Sequence, residues 1–318
     1  MRTLALLSLC LALFLSPDSQ GHERLVVFGG SLSDNGNSFV ATNGNIPAGP
    51  PEGAYGETFD GTGAIFFGRF TDGQNWVDYF PSVAKHFDID ISPVNAYLQD
   101  PNNTNANATD FAIGGSTSGV INGALPSFPA QIKAYLARLG GRNPADDLCV
   151  IWIGANDFAA GIEPLQTVAN IKGAIAQLVA AGAKDFFVVT IPDLALTPQV
   201  RALGGATILA AKKFVVTVNV LLAVELPRFA VAHQIRIDLV DINAIFVPLV
   251  YQPSRFGFTN STGFAYVPPT GPLLVPDPND YVFWDGFHPT TNVHYIAADF
   301  IFKAVFFRRH LHEFLSFR

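Results

Sequence analysis

The sequence predicts an α/β fold: a three-layer α/β/α sandwich around a central, mostly parallel sheet. Two observations carry this. Short apolar runs rich in Val, Ile, Leu and Phe alternate with amphipathic runs at helical spacing. Strands separated by helices in this way pair in parallel, with helices on both faces. Several of the apolar runs also break at Gly, Ser, Asn or Asp, the residues that turn the chain at strand ends. No repeat and no domain-separating linker interrupts the pattern, so residues 21–318 read as one domain.

The elements follow in order. Arg24–Gly29 is the first strand, with β-favouring residues running into Gly29-Gly30. Residues 41–68 are a long loop rich in Gly, Pro and Ala, and such loops in a compact domain are often functional. Gln74–Phe87 sets Trp76, Val77, Phe80, Val83, Ala84 and Phe87 at helical spacing, with Thr71 or Asp72 as the cap. Phe111–Ile113 reads as a short strand entering Gly114-Gly115-Ser116, and Pro129–Leu139 as a helix. Asp147–Ile153 is a strand entering Gly154-Ala155-Asn156-Asp157. Thr167–Ala181 is a helix stopped by Gly182, and Asp185–Ile191 is the next strand. Ala206–His233 is a long helical pattern that Pro227 kinks or divides. Ile235–Val240 is a strand and Ala244–Tyr251 a short helix. Residues 252–280 form a second long loop, and Thr290–Phe307 closes the chain as an amphipathic helix.

With 318 residues, 49% of them hydrophobic, the chain can bury a large core. A net charge of −7 and the lack of a Lys/Arg block argue against a nucleic-acid surface. Met1-Arg2 precedes an apolar run from Leu4 to Leu15, broken at Pro17. That run is too short to span a bilayer and has the pattern of a secretory signal peptide over residues 1–20. The chain is therefore expected to be secreted, or periplasmic in a Gram-negative source. Cys10 lies in that segment, and Cys149 is left as a small buried hydrophobe. Asn102, Asn107 and Asn260 fit the N-glycosylation pattern, which matters only in a eukaryotic secretory route.

Four polar segments lie at strand ends or helix starts: Gly30-Ser31, Gly114-Gly115, Asn156-Asp157 and Asp285-Gly286-Phe287-His288. In an open parallel sheet such segments converge on one edge. A serine, a histidine with an acid three residues before it, and additional donors suit nucleophilic hydrolysis. Serine needs a base to take its proton, and neutral imidazole, with a reference pKa of about 6.5, can do so near pH 7. A carboxylate on the other ring nitrogen fixes the tautomer and orientation. Preplaced N–H donors stabilise the oxyanion of the tetrahedral intermediate. By contrast, no Gly-x-Ser-x-Gly elbow surrounds Ser31 or Ser116, and there is no phosphate loop or His-Glu-x-x-His zinc motif.

Four blocks in order resemble the GDSL esterase/lipase family of the SGNH hydrolase superfamily. They are Phe28-Gly29-Gly30-Ser31-Leu32-Ser33-Asp34-Asn35-Gly36-Asn37, Phe111-Ala112-Ile113-Gly114-Gly115-Ser116, Gly154-Ala155-Asn156-Asp157 and Trp284-Asp285-Gly286-Phe287-His288-Pro289-Thr290. Gly68-Arg69-Phe70-Thr71-Asp72-Gly73 further resembles the plant-type and related bacterial secreted branches. The resemblance implies a flavodoxin-like sheet, Ser31 as nucleophile, His288 as general base and Asp285 as its orienter. It also implies an oxyanion hole from the Ser31 and Gly115 amides and the Asn156 side chain, with Gly114 competing for the glycine position.

One residue departs from the family pattern: Gly30 stands where an Asp usually precedes the serine. That Asp is expected to brace the nucleophile turn, and its loss to alter rate or preference. The expected protein is a secreted carboxylic-ester hydrolase working through an acyl-enzyme, with no cofactor. Its partners are small-molecule or lipid esters, with transient lipid-surface contact and no nucleic acid. Acyl transfer on the same site and a binding protein impaired by Gly30 are the alternatives. Asp34 and Asn37 are expected to hold the turn after Ser31, His294 reads as a surface or packing residue, and His310 and His312 lie in the terminal segment.

Overall fold

Four parallel strands form the sheet of the computed structural model, which describes residues 24–47, 68–120, 127–268 and 271–307. In chain order the elements begin with β1 (Arg24–Gly29), α1 (Asn37–Ala41), α2 (Trp76–Lys85) and α3 (Phe128–Arg138). Then come β2 (Asp147–Trp152), α4 (Ala155–Ala160), α5 (Pro164–Ala180) and β3 (Asp185–Val189). The chain continues through α6 (Pro198–Ala202), α7 (Gly205–His233), β4 (Arg236–Val240), α8 (Asn243–Tyr251) and α9 (Thr291–Phe302). The strands lie in the order β1-β2-β3-β4, with Val27 opposite Val150, Val150 opposite Phe187 and Phe187 opposite Asp238.

Strand side chains alternate between faces, and both faces are covered. Val26, Phe28, Cys149, Ile151, Phe186 and Val188 pack with residues of α3, α5 and α7, among them Phe128, Ile175 and Val218. Leu25, Val27, Leu148, Val150, Phe187 and Val189 pack with α2 and α9 through Val77, Phe80, Ala298 and Ile301. This is the α/β/α sandwich, and it explains why the strands read as unbroken apolar runs. Each fully buried Val, Ile, Leu or Phe contributes about 1.5–3 kcal/mol relative to exposure. Cys149 is one of these buried residues.

Residues 109–113 run alongside the free edge of β1. Val27 donates its N–H to Thr109 (3.0 Å), and Phe111 and Ile113 donate theirs to Val27 and Gly29 (2.8 and 3.1 Å). Counting this segment, the order around β1 follows the flavodoxin-like pattern. The expected strand at Phe111–Ile113 is nevertheless reduced to an isolated bridge at Asp110. The reason lies at Gly29, whose amide goes to the Gln131 side chain and not to the Phe111 carbonyl, so the ladder stops after one bridge.

Two further expectations change. The cap of α2 is Asn75, whose side chain accepts from Val77 and Asp78 while Asp78 accepts from the Asn75 amide, a reciprocal capping box. Thr71 and Asp72 reach instead to the far end of the chain, at Pro289 and Thr291. The helix α7 runs through Pro227 without dividing. Its inward face, including Phe214, Val218 and Leu222, packs on the sheet, and tertiary packing of this kind overrides local propensity. The last helix ends at Phe302 and passes into a π-helical turn over Lys303–Phe307. The signal peptide expected over residues 1–20, and His310 and His312, lie outside the described residues.

Candidate active site

The nucleophile turn begins where β1 meets β2. A Cβ on Gly29 would stand 2.5 Å from the Trp152 carbonyl oxygen, so only glycine lets the two strand ends approach this closely. Gln131 takes the place of a strand neighbour there: its amide donates to the Gly29 carbonyl (2.8 Å) and its oxygen accepts the Gly29 N–H (3.0 Å). Beyond Gly30 the chain turns sharply, with Ser33 and Asp34 both donating to the Gly30 carbonyl at 3.1 Å. Ser31 projects from this turn.

Asp34, fully buried, fixes the turn. Its Oδ1 accepts from the amides of Gly36 (2.9 Å) and Asn37 (2.7 Å). Its Oδ2 accepts from the Ser38 amide (3.1 Å), the Ser38 hydroxyl and the Gly114 amide (2.8 Å). Burial pushes its carboxyl above the usual range, against the pull of these hydrogen bonds. Asn37 adds two bonds to the Asp110 and Ala112 carbonyls, at 2.8 and 2.9 Å. The local hold expected of Asp34 and Asn37 thus extends across to residues 110–114.

His288 comes from the loop before α9, 257 residues along the chain from Ser31, and its Nε2 lies 2.8 Å from the Ser31 Oγ. Its Nδ1 lies 2.8 Å from Asp285 Oδ2. Asp285 Oδ1 accepts the amides of Phe287 and His288, each at 2.8 Å. Burial raises the Asp285 pKa, but the adjacent imidazole and these hydrogen bonds outweigh it and hold the carboxyl below its ordinary value. A carboxylate on Nδ1 sets the tautomer that leaves Nε2 free to take the serine proton. Phe70 packs over the imidazole, ring centroids 5.2 Å apart.

The loop carrying His288 is tied down from the other end of the chain. Thr71 donates its hydroxyl to the Pro289 carbonyl (2.9 Å), and Asp72 Oδ1 accepts the Thr291 amide (2.7 Å). Arg69 forks onto Asp78 with bonds of 2.9 and 2.7 Å, a bidentate geometry that fixes the stretch before Thr71. Sequence reasoning placed Thr71 and Asp72 at a helix cap and missed this clamp. The same reasoning had no means of finding Gln131, whose role depends on a contact 102 residues away.

The donor segments lie on the same edge. The Gly114 amide is committed to Asp34 and Ser38. Gly115, at φ +77° and exposed to solvent, is the glycine left to offer its N–H. Asn156 donates one side-chain N–H to the Ser116 carbonyl (2.9 Å) and lines the cavity together with Ser31. Its neighbour Asp157 binds Ser118 through the amide (2.7 Å) and the hydroxyl, and accepts from the Thr167 hydroxyl (2.7 Å). That carboxylate anchors the Asn156 turn against residues 116–118.

Two cavities flank His288. One, of about 260 Å³, runs under Ser31 and Asn156 between Trp152, Leu194, Phe246 and Val293. The other, of about 440 Å³, lies on the Asp285 side between Phe70, Gln199, Phe264 and Trp284. Asn45, Ile46 and Pro47 and the 264–268 stretch border the second cavity, so described parts of both long loops do stand on the rim. Residues 48–67 of the first loop are outside the described residues.

A parallel α/β sheet whose strand ends bring Ser, His and Asp into one hydrogen-bonded row defines a serine-hydrolase type of site. The chain belongs to the GDSL-like lipase/acylhydrolase family, whose model matches residues 25–301. It is 26% identical over 296 residues to the thermolabile hemolysin of Vibrio parahaemolyticus, covering 87% of this chain and 62% of that protein. It is 24% identical over 257 residues to the phosphatidylcholine-sterol acyltransferase of Aeromonas hydrophila, covering 77% of this chain and 65% of that one. Likewise it is 24% identical over 319 residues to the GDSL esterase/lipase At1g23500 of Arabidopsis thaliana, with 89% of each chain covered. The chain thus spans less than two thirds of the two bacterial relatives. Relatives from bacteria and plants alike place it in the family without singling out a plant-type branch.

Position 30 gives a first prediction. A Cβ on Gly30 would stand 3.4 Å from Asn156 Nδ2 and 3.9 Å from the Ser116 carbonyl, which is ordinary contact. A carboxylate there would reach the Asn156 amide. The turn after Ser31 has backbone bonds of its own, from Ser33 and Asp34 to the Gly30 carbonyl. Gly30→Asp is expected to fold and to raise kcat/KM about fivefold by orienting Asn156, the worth of one hydrogen bond. An unchanged kcat/KM in a folded variant would remove this role.

Asp72 gives a second. Burial pushes its carboxyl up to about 6, against bonds from Thr291 and Thr71, and its Oδ2 is buried without a partner. A raised folded-state pKa means that its contribution is fully present below the unfolded carboxylate range and is lost as pH rises through about 6. Asp72→Asn, which cannot ionise, should gain on the wild type by up to about 3 kcal/mol between about pH 4 and 8. Denaturant unfolding across that range checks it, and a pH-independent difference would count against the raised Asp72 pKa.

Proposed function

We propose that this chain is a secreted serine esterase or lipase acting on carboxylic esters through an acyl-enzyme. The observation that carries the reading is the unbroken Asp285–His288–Ser31 row, with both contacts to the imidazole at 2.8 Å, opening onto an apolar cavity. Ser31 Oγ attacks the ester carbonyl while His288 Nε2 takes its proton. Negative charge then gathers on the former carbonyl oxygen, within reach of the Ser31 and Gly115 amides and the Asn156 side chain. Donors preplaced in this way are typically worth about 10²–10³ in rate each. The intermediate collapses, His288 returns the proton to the leaving alcohol, and a water activated by the same imidazole releases the acid. No cofactor enters this sequence.

The cavity beneath Ser31, walled by Leu194, Phe246 and Val293, suits the acyl group. The cavity beyond Asp285 and His288 is available to the alcohol portion. That second chamber favours one further reading, acyl transfer to a bound alcohol in place of water, in keeping with the name of the Aeromonas hydrophila relative. Secretion rests on the charged start and apolar run of residues 1–20.

A panel of p-nitrophenyl esters across acyl lengths, with a phospholipid and an acetylated sugar, tests the activity. Wild type should turn over at least one of them, and Ser31→Ala should lose ~10³-fold or more in kcat. Equal turnover by both proteins, or none by a folded wild type, would leave a binding protein on a hydrolase scaffold.

A further inference from the structure

The cavity beneath Ser31 is mainly apolar, with Ser31, Asn156, Thr197, His288 and His294 as its polar residues. His294, on α9, is 2% exposed and lines it. The Trp76 amide donates to His294 Nδ1 at 3.3 Å, so the ring proton sits on Nε2. Among the described residues no acceptor takes that proton. Burial, with His288 adding to it, pushes the His294 pKa down to about 3, so the ring is neutral and keeps this tautomer through the neutral range. Trp152 lines the same cavity and packs on the ring of Trp76 at 5.9 Å. The Trp152 Nε1 is buried and has no partner among the described residues. The expected surface or packing role of His294 therefore covers only half of its chemistry. Its Nδ1 holds α2, which leaves Nε2 as a donor on a residue that lines the cavity.

A buried N–H without an acceptor is costly, and a plain alkyl chain would displace water from it and give nothing back. A chain with an oxygen at that point would restore the bond. We propose that His294 makes the acyl cavity selective for acyl groups bearing an oxygen acceptor along the chain, as an ether, ketone or hydroxyl. The proposal deepens the esterase reading and rests on it, because it assigns this cavity to the acyl side.

The test uses matched esters in which one methylene of an alkanoyl chain is replaced by an ether oxygen, stepped along the chain. This exchange hardly alters shape and adds an acceptor; its inductive effect on the ester carbonyl is the same in every variant and cancels in their comparison. Wild type should prefer one oxygen position over its methylene counterpart by about tenfold in kcat/KM. His294→Asn keeps an acceptor for the Trp76 amide and loses the far donor, so the preference should disappear. His294→Gln keeps a far donor and should retain it in part. No preference at any position in wild type, or an undiminished one in His294→Asn, would overturn the proposal. Dissociation constants for the same pairs on the Ser31→Ala background separate the two readings. A preference in binding without turnover by the Ser31 enzyme would sustain the His294 assignment and sink the esterase, whereas equal binding of all pairs would sink the assignment alone.

Discussion

The site depends on one buried carboxylate. Asp34 accepts from three consecutive amides of its own turn, from the Ser38 hydroxyl and from the Gly114 amide. Its desolvation is unfavourable, and the fold tolerates it because each oxygen finds several donors. The consequence is geometric. Holding the Ser31 turn and the Gly114-Gly115 segment on the same carboxylate fixes Ser31 relative to Gly115. Asn37, bonded to Asp110 and Ala112, reinforces the same junction.

A second tether places the base. The His288 loop is long and irregular, and a parallel sheet alone would not locate it to within a hydrogen bond. Thr71 and Asp72 do so by binding the backbone at Pro289 and Thr291. Asp285 then sets the ring by accepting two amides of its own turn as well as the imidazole. Catalytic geometry of this kind tolerates little slack. Here the supporting bonds run to backbone groups, whose positions are already determined by the strand ends and α9. The two tethers act on opposite sides of the Ser31–His288 contact, which is why segments so far apart in the chain meet at 2.8 Å.

The cavities on either side of His288 separate what sequence and structure can each say about substrate. Apolar residues at Phe246 and Leu249 read as ordinary core in a helical run. Only their convergence with Trp152 and Val293 makes a chamber beneath Ser31. His294 is the sharper case. One turn and a half after His288 it looks like any helical histidine, until its Nδ1 is found engaged and its Nε2 left as a donor on a residue that lines the cavity.

What the sequence determined by itself is local and periodic. Apolar runs of strand length between amphipathic runs specify the parallel sheet and its covering helices. The Gly-Ser turn, the Gly-x-Asn-Asp block and the Asp-x-x-His block identify the residues that meet at its edge. These signals survive in one dimension because burial pattern and short-range turn chemistry are written in neighbouring residues. The tertiary structure alone decided everything that rests on contacts between distant segments. It committed the Gly114 amide to Asp34 and so left Gly115 free. It moved the cap of α2 to Asn75 and sent Thr71 and Asp72 to the His288 loop. It also reduced Phe111–Ile113 to a bridged edge by giving the Gly29 amide to Gln131. Hydrogen-bond partners of buried polar groups are set by which segments pack together, and that choice has no signature in the spacing of residues along the chain.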